Sequence, residues 1–238
     1  MVAIQQFTDP TLEKMLEICA SQKEKKRGYL GASLIGSNCP RFIWYTYKGI
    51  DGRPTGAETL FAFEDGHRTE SLTIERLRRV PGIEIWDKDD SGVQYGFSDF
   101  NGKFRGHFDG VIRGIYQAPK TAHILEIKCC AEKKFNEFVS AVAKYGEKGA
   151  LKQWNESYYV QAQLYMHYSN LTRHYLVVAK AGGRGYFSCR TEYEKETALQ
   201  YIERAEKIIN AKEPPHRINE KRDYYLCRWC PFSEVCHG

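Results

Sequence analysis

The chain has 238 residues, 42% hydrophobic, 13% aromatic and 27% charged, which is enough apolar material for a sizeable core and excludes a disordered sequence. Thirty-five Lys and Arg against 30 Asp and Glu leave a net charge of +5, an excess that permits a polyanionic partner without demanding one. No stretch is apolar and long enough for a signal-peptide core or a membrane span, so the expectation is a cytoplasmic protein, host cytoplasm included if the source is a phage, with no membrane partner. Asp9 and Pro10 read as the N-cap and first position of a helix with Leu12, Leu16 and Cys19 on one face. The basic run 23–27 reads as a solvated linker. Residues 33–47 form a second helical region broken at Cys39-Pro40, with Phe42, Trp44, Tyr45 and Tyr47 packed on the core. After a Gly/Pro loop, residues 60–79 make one helix whose stripe Leu60, Phe63, His67, Ser71, Ile74 and Leu77 sets a histidine among apolar residues.

From 82 to 128 the texture changes to short β-rich runs at 83–86, 94–97, 104–112 and 122–128, expected as a meander or successive hairpins. Helices at 132–142 and 154–168, a strand at 175–179, a Gly182-Gly183 turn into 186–189 and an amphipathic helix at 193–211 follow. Pro214-Pro215 ends that helix and frees a tail. The tail holds Cys227, Cys230 and Cys236; Cys39 stands alone near the front, and the other four cysteines are scattered. In a reducing compartment, clustered thiols more often hold metal than form disulfides.

Side chains alternate along a strand, so Glu126 and Lys128 share one face while Leu125 and Ile127 enter the core. Asp109, on the expected neighbouring strand 107–112, can join them. Two carboxylates beside an ammonium suit a divalent-metal hydrolase: hard oxygen ligands for Mg²⁺ or Mn²⁺, and a cation for the water or the phosphoryl oxygen. On a helix, Gln161 and Tyr165 are one turn apart and present both polar tips on one face.

This order of residues resembles the PD-(D/E)XK nuclease superfamily, with Asp109, Glu126 and Lys128 at its catalytic motif positions and Phe108 where a proline is common. Residues 63–67 look like the upstream helix of the RecB-like branch, which implies a metal site of His67, Asp109, Glu126 and the backbone carbonyl of Ile127. Gln161 and Tyr165 match that branch's QxxxY motif, implying that they hold a substrate phosphate or orient Lys128. One early and three late cysteines resemble the iron-sulfur members, including CRISPR-associated, AddB and Dna2-like nucleases. That implies a mainly structural [4Fe-4S] cluster on Cys39, Cys227, Cys230 and Cys236. Four thiolates, or a mixed set using His237, suit zinc as well.

The resemblance implies an α/β fold with a restriction-endonuclease-like core, a central mixed β-sheet flanked by helices, and N- and C-terminal segments joined by the cysteine cluster. One nuclease domain then covers 1–238: an N-terminal helical segment over 1–59, a core over 60–190, and a C-terminal helix and tail over 191–238. The implied activity is a metal-dependent DNA exonuclease that prefers single strands or ends, serving recombination, repair, phage replication or CRISPR adaptation. A structure-specific endonuclease and a non-catalytic DNA-end-binding module are the alternatives. Arg41, Lys48, Arg105, Lys133 and Lys134 are candidates for a phosphate-binding track. No Walker-type loop is present, so a helicase, like a recombinase or CRISPR integration partner, would be a separate chain.

Overall fold

A computed structural model describes residues 9–21 and 26–238; of the basic run 23–27, only Lys26 and Arg27 fall within them. Asp9 Oδ1 accepts from the N–H groups of Thr11 (2.9 Å) and Leu12 (3.2 Å) and so caps α1 (Pro10–Ser21). The expected inward residues Leu12 and Leu16 remain exposed. After β1 (Leu30–Gly31), the second helical region is α2 (Ala32–Ile35) and α3 (Pro40–Tyr47). The break falls at Cys39, whose sulfur accepts from the N–H of Phe42 at 3.4 Å and caps α3 ahead of Pro40.

The long helix α4 (Ala57–Arg78) forms, but not with the expected stripe inward. Thr69, Thr73 and Ile74 are its buried residues over the sheet, while Phe63, His67 and Ser71 are not buried. The cause is placement. The C-terminal half packs Ile74 against Ile112, Leu125 and Ile127, and the N-terminal half overhangs an open cleft.

The remaining elements are β2 (Glu84–Trp86), β3 (Gly96–Asp99), β4 (Phe104–His107), β5 (Gly110–Arg113), β6 (His123–Cys130), α5 (Glu132–Trp154), α6 (Glu156–Ser169), β7 (Arg173–Lys180), β8 (Tyr186–Glu192), α7 (Lys195–Asn210), α8 (Tyr225–Arg228) and α9 (Ser233–His237). A five-stranded mixed sheet has the order β2-β5-β6-β7-β8, with β6 and β7 parallel and the other pairs antiparallel. A second sheet has the order β1-β4-β3. The single strand expected over 104–112 is therefore two strands in two sheets. At its middle the Phe108 N–H bonds to Tyr95 O at 3.1 Å, and Gly110 resumes pairing opposite Leu125. Asp109 stands at this corner and not on a strand.

The faces of β6 divide as alternation requires. Leu125 and Ile127 join Tyr175 and Val177 under α4, and Ile124 joins Leu176 and Val178 in the larger core on the other face. The crossover from β6 to β7 runs through α5 and α6. α5 continues beyond the expected 142, through a break at Gly146 (φ 74°), a left-handed conformation for which glycine carries no Cβ penalty. Asn155 Oδ1 accepts from the Tyr158 N–H at 3.1 Å and starts α6. No helix among the described residues is long and apolar enough to cross a membrane.

Candidate active site

The site grows from the corner. Turning the chain at Asp109 brings its carboxylate across to β6, where Oδ2 accepts the backbone N–H of Ile127 at 2.7 Å. That grip lies between Glu126 and Lys128, and Lys128 Nζ donates to Glu126 Oε1. Glu126 is only 4% exposed, and its second oxygen, Oε2, is buried with no hydrogen-bond partner. A buried acceptor of this kind carries a desolvation cost that a ligand cation would remove.

Two further side chains of α4 line the cleft that Lys128 opens onto. His67 lines the cleft with Ile127 and Lys128, and one turn on, Glu70 lines it too. Burial and then Glu126 push the Glu70 carboxyl above its ordinary value, against the pull of Lys128. Glu70 went unrecognised in the sequence; its i, i+3 relation to His67 was the one available signal.

The electrostatics are those of a site short of positive charge. Burial pushes Asp109 up to about 7, with Lys128 opposing, Glu70 adding to the rise and the Ile127 N–H opposing it. Glu126 is pushed up to about 8 by burial and by Asp109, against Lys128. Burial works to lower Lys128, but Glu126 and Asp109 outweigh it and hold the ammonium firmly charged. Three carboxylates thus face one ammonium, and their full ionisation calls for a further cation. The donor set of hard oxygens with one imidazole fits Mg²⁺ or Mn²⁺.

On α6, Gln161 Nε2 donates to Tyr165 OH at 2.7 Å, and both residues are buried, with Gln161 Oε1 unpartnered. Burial raises Tyr165 well above its ordinary value, and Glu126 adds to the rise. The pair therefore lies behind the carboxylates and not on the cleft wall. Tyr158 holds the cleft-facing position on that helix, its ring centroid 5.1 Å from Lys128 Nζ. Gly106 of β4 makes the packing possible, because a Cβ there would meet Tyr165 Cε1 and Phe97 Cε1 at 2.6 Å.

The cleft, about 790 Å³, is lined as well by Lys26, Arg27, Tyr29 and Tyr47; Lys26 Nζ donates to Gly49 O and Asp51 Oδ1, both at 2.6 Å. Arg27, expected in a linker, lies close enough to act electrostatically on Tyr165. The expected phosphate track divides, with Lys48 and Arg105 on the rings of the cleft residues Tyr47 and Tyr29, and Arg41 and Lys133 away from the cleft. Arg41 donates from Nε to Pro215 O (2.6 Å) and from Nη1 to Cys236 Sγ (3.7 Å); Lys48 sits over the rings of Trp44 and Tyr47, and Arg105 over Tyr29. Lys133 lines a separate depression with Glu132 and Glu137.

Cys39, Cys227, Cys230 and Cys236 all line one cavity of about 600 Å³ between α3 and the tail, together with His237, whose Nε2 is buried and unpartnered. Burial, and next the neighbouring thiols of Cys39, Cys236 and Cys230, push the Cys227 thiol up. Among the described residues, no three His, Cys, Asp or Glu side chains are drawn together as a ready ligand set for a metal ion. The segments meet through protein contacts as well: Trp44 Nε1 to Ala211 O at 3.0 Å, Arg53 N to Pro231 O at 2.8 Å, and Phe232 packed on Phe42 and Tyr45.

No family model matches this chain, and no curated protein matches it in sequence. Among solved structures it is similar to an alkaline exonuclease (LHK-Exo) from Laribacter hongkongensis, at 14% identity and a TM-score of 0.52, over 83% of this chain and 90% of that one. The same exonuclease in complex with dAMP gives 0.51 over the same shares. A phage-related exonuclease from Haemophilus somnus shares 12% identity over 71% of this chain and 75% of that one, with a TM-score of 0.46. At these identities the LHK-Exo likeness establishes a shared fold: a mixed sheet flanked by helices.

Proposed function

We propose that the chain is a divalent-metal-dependent deoxyribonuclease, acting as an exonuclease on single strands or DNA ends from a cytoplasmic location. One observation carries this reading: Asp109 and Glu126 are buried beside Lys128, which itself lines a cleft, and Glu126 Oε2 is left unpartnered. A likeness in fold to exonucleases supports it.

Asp109, Glu126, His67 and the Ile127 carbonyl, with Glu70 beside them, would hold Mg²⁺ or Mn²⁺. The bound ion supplies Lewis acidity toward the scissile phosphate and a lowered pKa for its water. Lys128, kept protonated by its carboxylate neighbours, faces the cleft and offsets the charge that develops on phosphate oxygens. The ring of Tyr158 confines the ammonium from one side. Gln161 and Tyr165 support the carboxylates from behind, and Arg27, which lines the same cleft, gives the strand's phosphates a positive partner.

The four cysteines fit a thiolate-bound metal by donor chemistry and by their shared cavity. We assign them a structural [4Fe-4S] cluster, with zinc as the alternative, that fastens α3 to the tail. Anaerobic purification with metal analysis separates the two: brown, iron-containing protein or colourless, zinc-containing protein.

The test of activity is Mn²⁺-dependent degradation of linear single-stranded DNA against a covalently closed circle. The wild type should degrade the linear strand and spare the circle, and Lys128→Ala should abolish degradation while far-UV circular dichroism stays unchanged. Retained activity in the variant would sink the assignment, and cutting of the circle would make the enzyme an endonuclease.

A further inference from the structure

The face that α4 turns to the cleft is unusual for a helix above a charged centre. In order it presents Ala62, Phe63, Gly66, His67 and Glu70, at helical spacings of three and four. Phe63 is 50% exposed and belongs to neither apolar core. Among the described residues no ring and no cation lies over it, whereas Tyr29 and Tyr47 in the same cleft each carry a cation on one face, Arg105 and Lys48 respectively. Beside Phe63 the surface is bare: a Cβ built on Gly66 would meet nothing within 4 Å. Among the described residues, an aromatic ring with no partner, beside an open glycine and one turn before His67, in a cleft that Arg27 and Lys128 also line, is a place for a flat apolar group on an anionic chain.

We infer that Phe63 is a stacking platform for an unpaired nucleobase, held while the phosphate beside it lies at Asp109 and Glu126. Charge argues for this occupant over an apolar peptide, because Arg27 and Lys128 line the same cleft as Phe63. Pairing argues for a single strand, since a base inside a duplex keeps both faces covered by its neighbours. Phe63 thus sets specificity for unpaired bases by contributing area without hydrogen-bond selectivity, and every base has a face to offer. The inference rests on the nuclease reading and adds to it the residue that recognises the strand.

The experiment measures binding without turnover, by fluorescence anisotropy in Mn²⁺ on a Lys128→Ala background, for two labelled oligomers of equal length: an ordinary single strand and an abasic sugar-phosphate chain. Stacking on one ring is worth about 1–3 kcal/mol per base. Phe63→Ala should therefore weaken the ordinary strand about tenfold and the abasic chain by less than about twofold, and Phe63→Trp should restore ordinary binding. Equal weakening of both oligomers, or none of either, overturns the stacking role. A protein with Phe63 intact that binds neither oligomer overturns the nuclease reading, and the stacking role with it. Phe63 packs on no core, so loss of fold does not confound the comparison; circular dichroism of each variant checks this.

Discussion

Glu126→Gln tests the charge state of the site directly, because it keeps the side chain's shape and removes one negative charge from a buried place. In the metal-free protein, burial and Asp109 raise Glu126 from an ordinary 4.5 to about 8. At about 1.4 kcal/mol per unit, holding the carboxylate ionised above that pH costs up to about 5 kcal/mol of stability. That rise already includes the opposing pull of Lys128; because Asp109 and Glu126 titrate as a pair, about half of it, or about 2 kcal/mol, is the gain expected from glutamine. For a chain of this size that is a rise in melting temperature of about 5 °C. The sign follows from a raised pKa. The folded state binds the proton more tightly than the unfolded one, so the Glu126 contribution to stability is full below pH 4.5 and is lost as pH climbs through about 8. The advantage of glutamine should thus be full at about pH 8.5 and gone at about pH 5, where wild-type Glu126 is already protonated. Urea or thermal unfolding in chelator at both pH values measures it; added Mn²⁺ should stabilise the wild type more than the variant. A variant destabilised by the same amount at both pH values would refute the account of the site as short of positive charge.

Other consequences are equally accessible. Glu70→Gln should lower kcat about 10²-fold and raise the Mn²⁺ concentration needed for half-maximal rate, with little change in DNA binding in chelator, as measured by steady-state kinetics and anisotropy. Gly106→Ala should cost about 1–3 kcal/mol in urea unfolding, because the new methyl group collides with Tyr165 and Phe97, and activity should fall with it. Cys39→Ser should lose the bound iron or zinc by metal analysis and render the tail after Pro215 sensitive to protease while β6 stays protected, since Arg41 and Phe232 then hold the tail without the metal.

Much of the site was legible because strand alternation is a strong local signal. The pattern around Glu126 and Lys128 has apolar neighbours on both sides, and β6 places its side chains accordingly. Asp109 was visible as a residue but not as a corner: the halves of 104–112 each satisfy a strand pattern, and nothing in one sequence marks where a chain changes sheets. Glu70 was hidden by its surroundings, one of several acids on a polar helix, singled out only when α4 overhangs the cleft. Arg27 disappeared into a basic run whose composition reads as solvent-facing. The longer α5 was masked by Gly146, where the helix does break (φ 74°), and by Gly149, which the resumed helix carries through. Gln161 and Tyr165 show the converse: their spacing was correct, but depth cannot be read from spacing, and both are buried.

The hydrogen bond from the Ile127 N–H to Asp109 also bears on how the enzyme matures. A slip of one residue between β5 and β6 would turn Leu125 and Ile127 toward the catalytic side and send Glu126 and Lys128 to the other. In that state Asp109 would meet the wrong amide and the carboxylates would never converge. The residue that joins the carboxylate pair is therefore also the one that reports alignment of the strands. On the nuclease reading proposed above, a chain paired out of register would lack the site altogether.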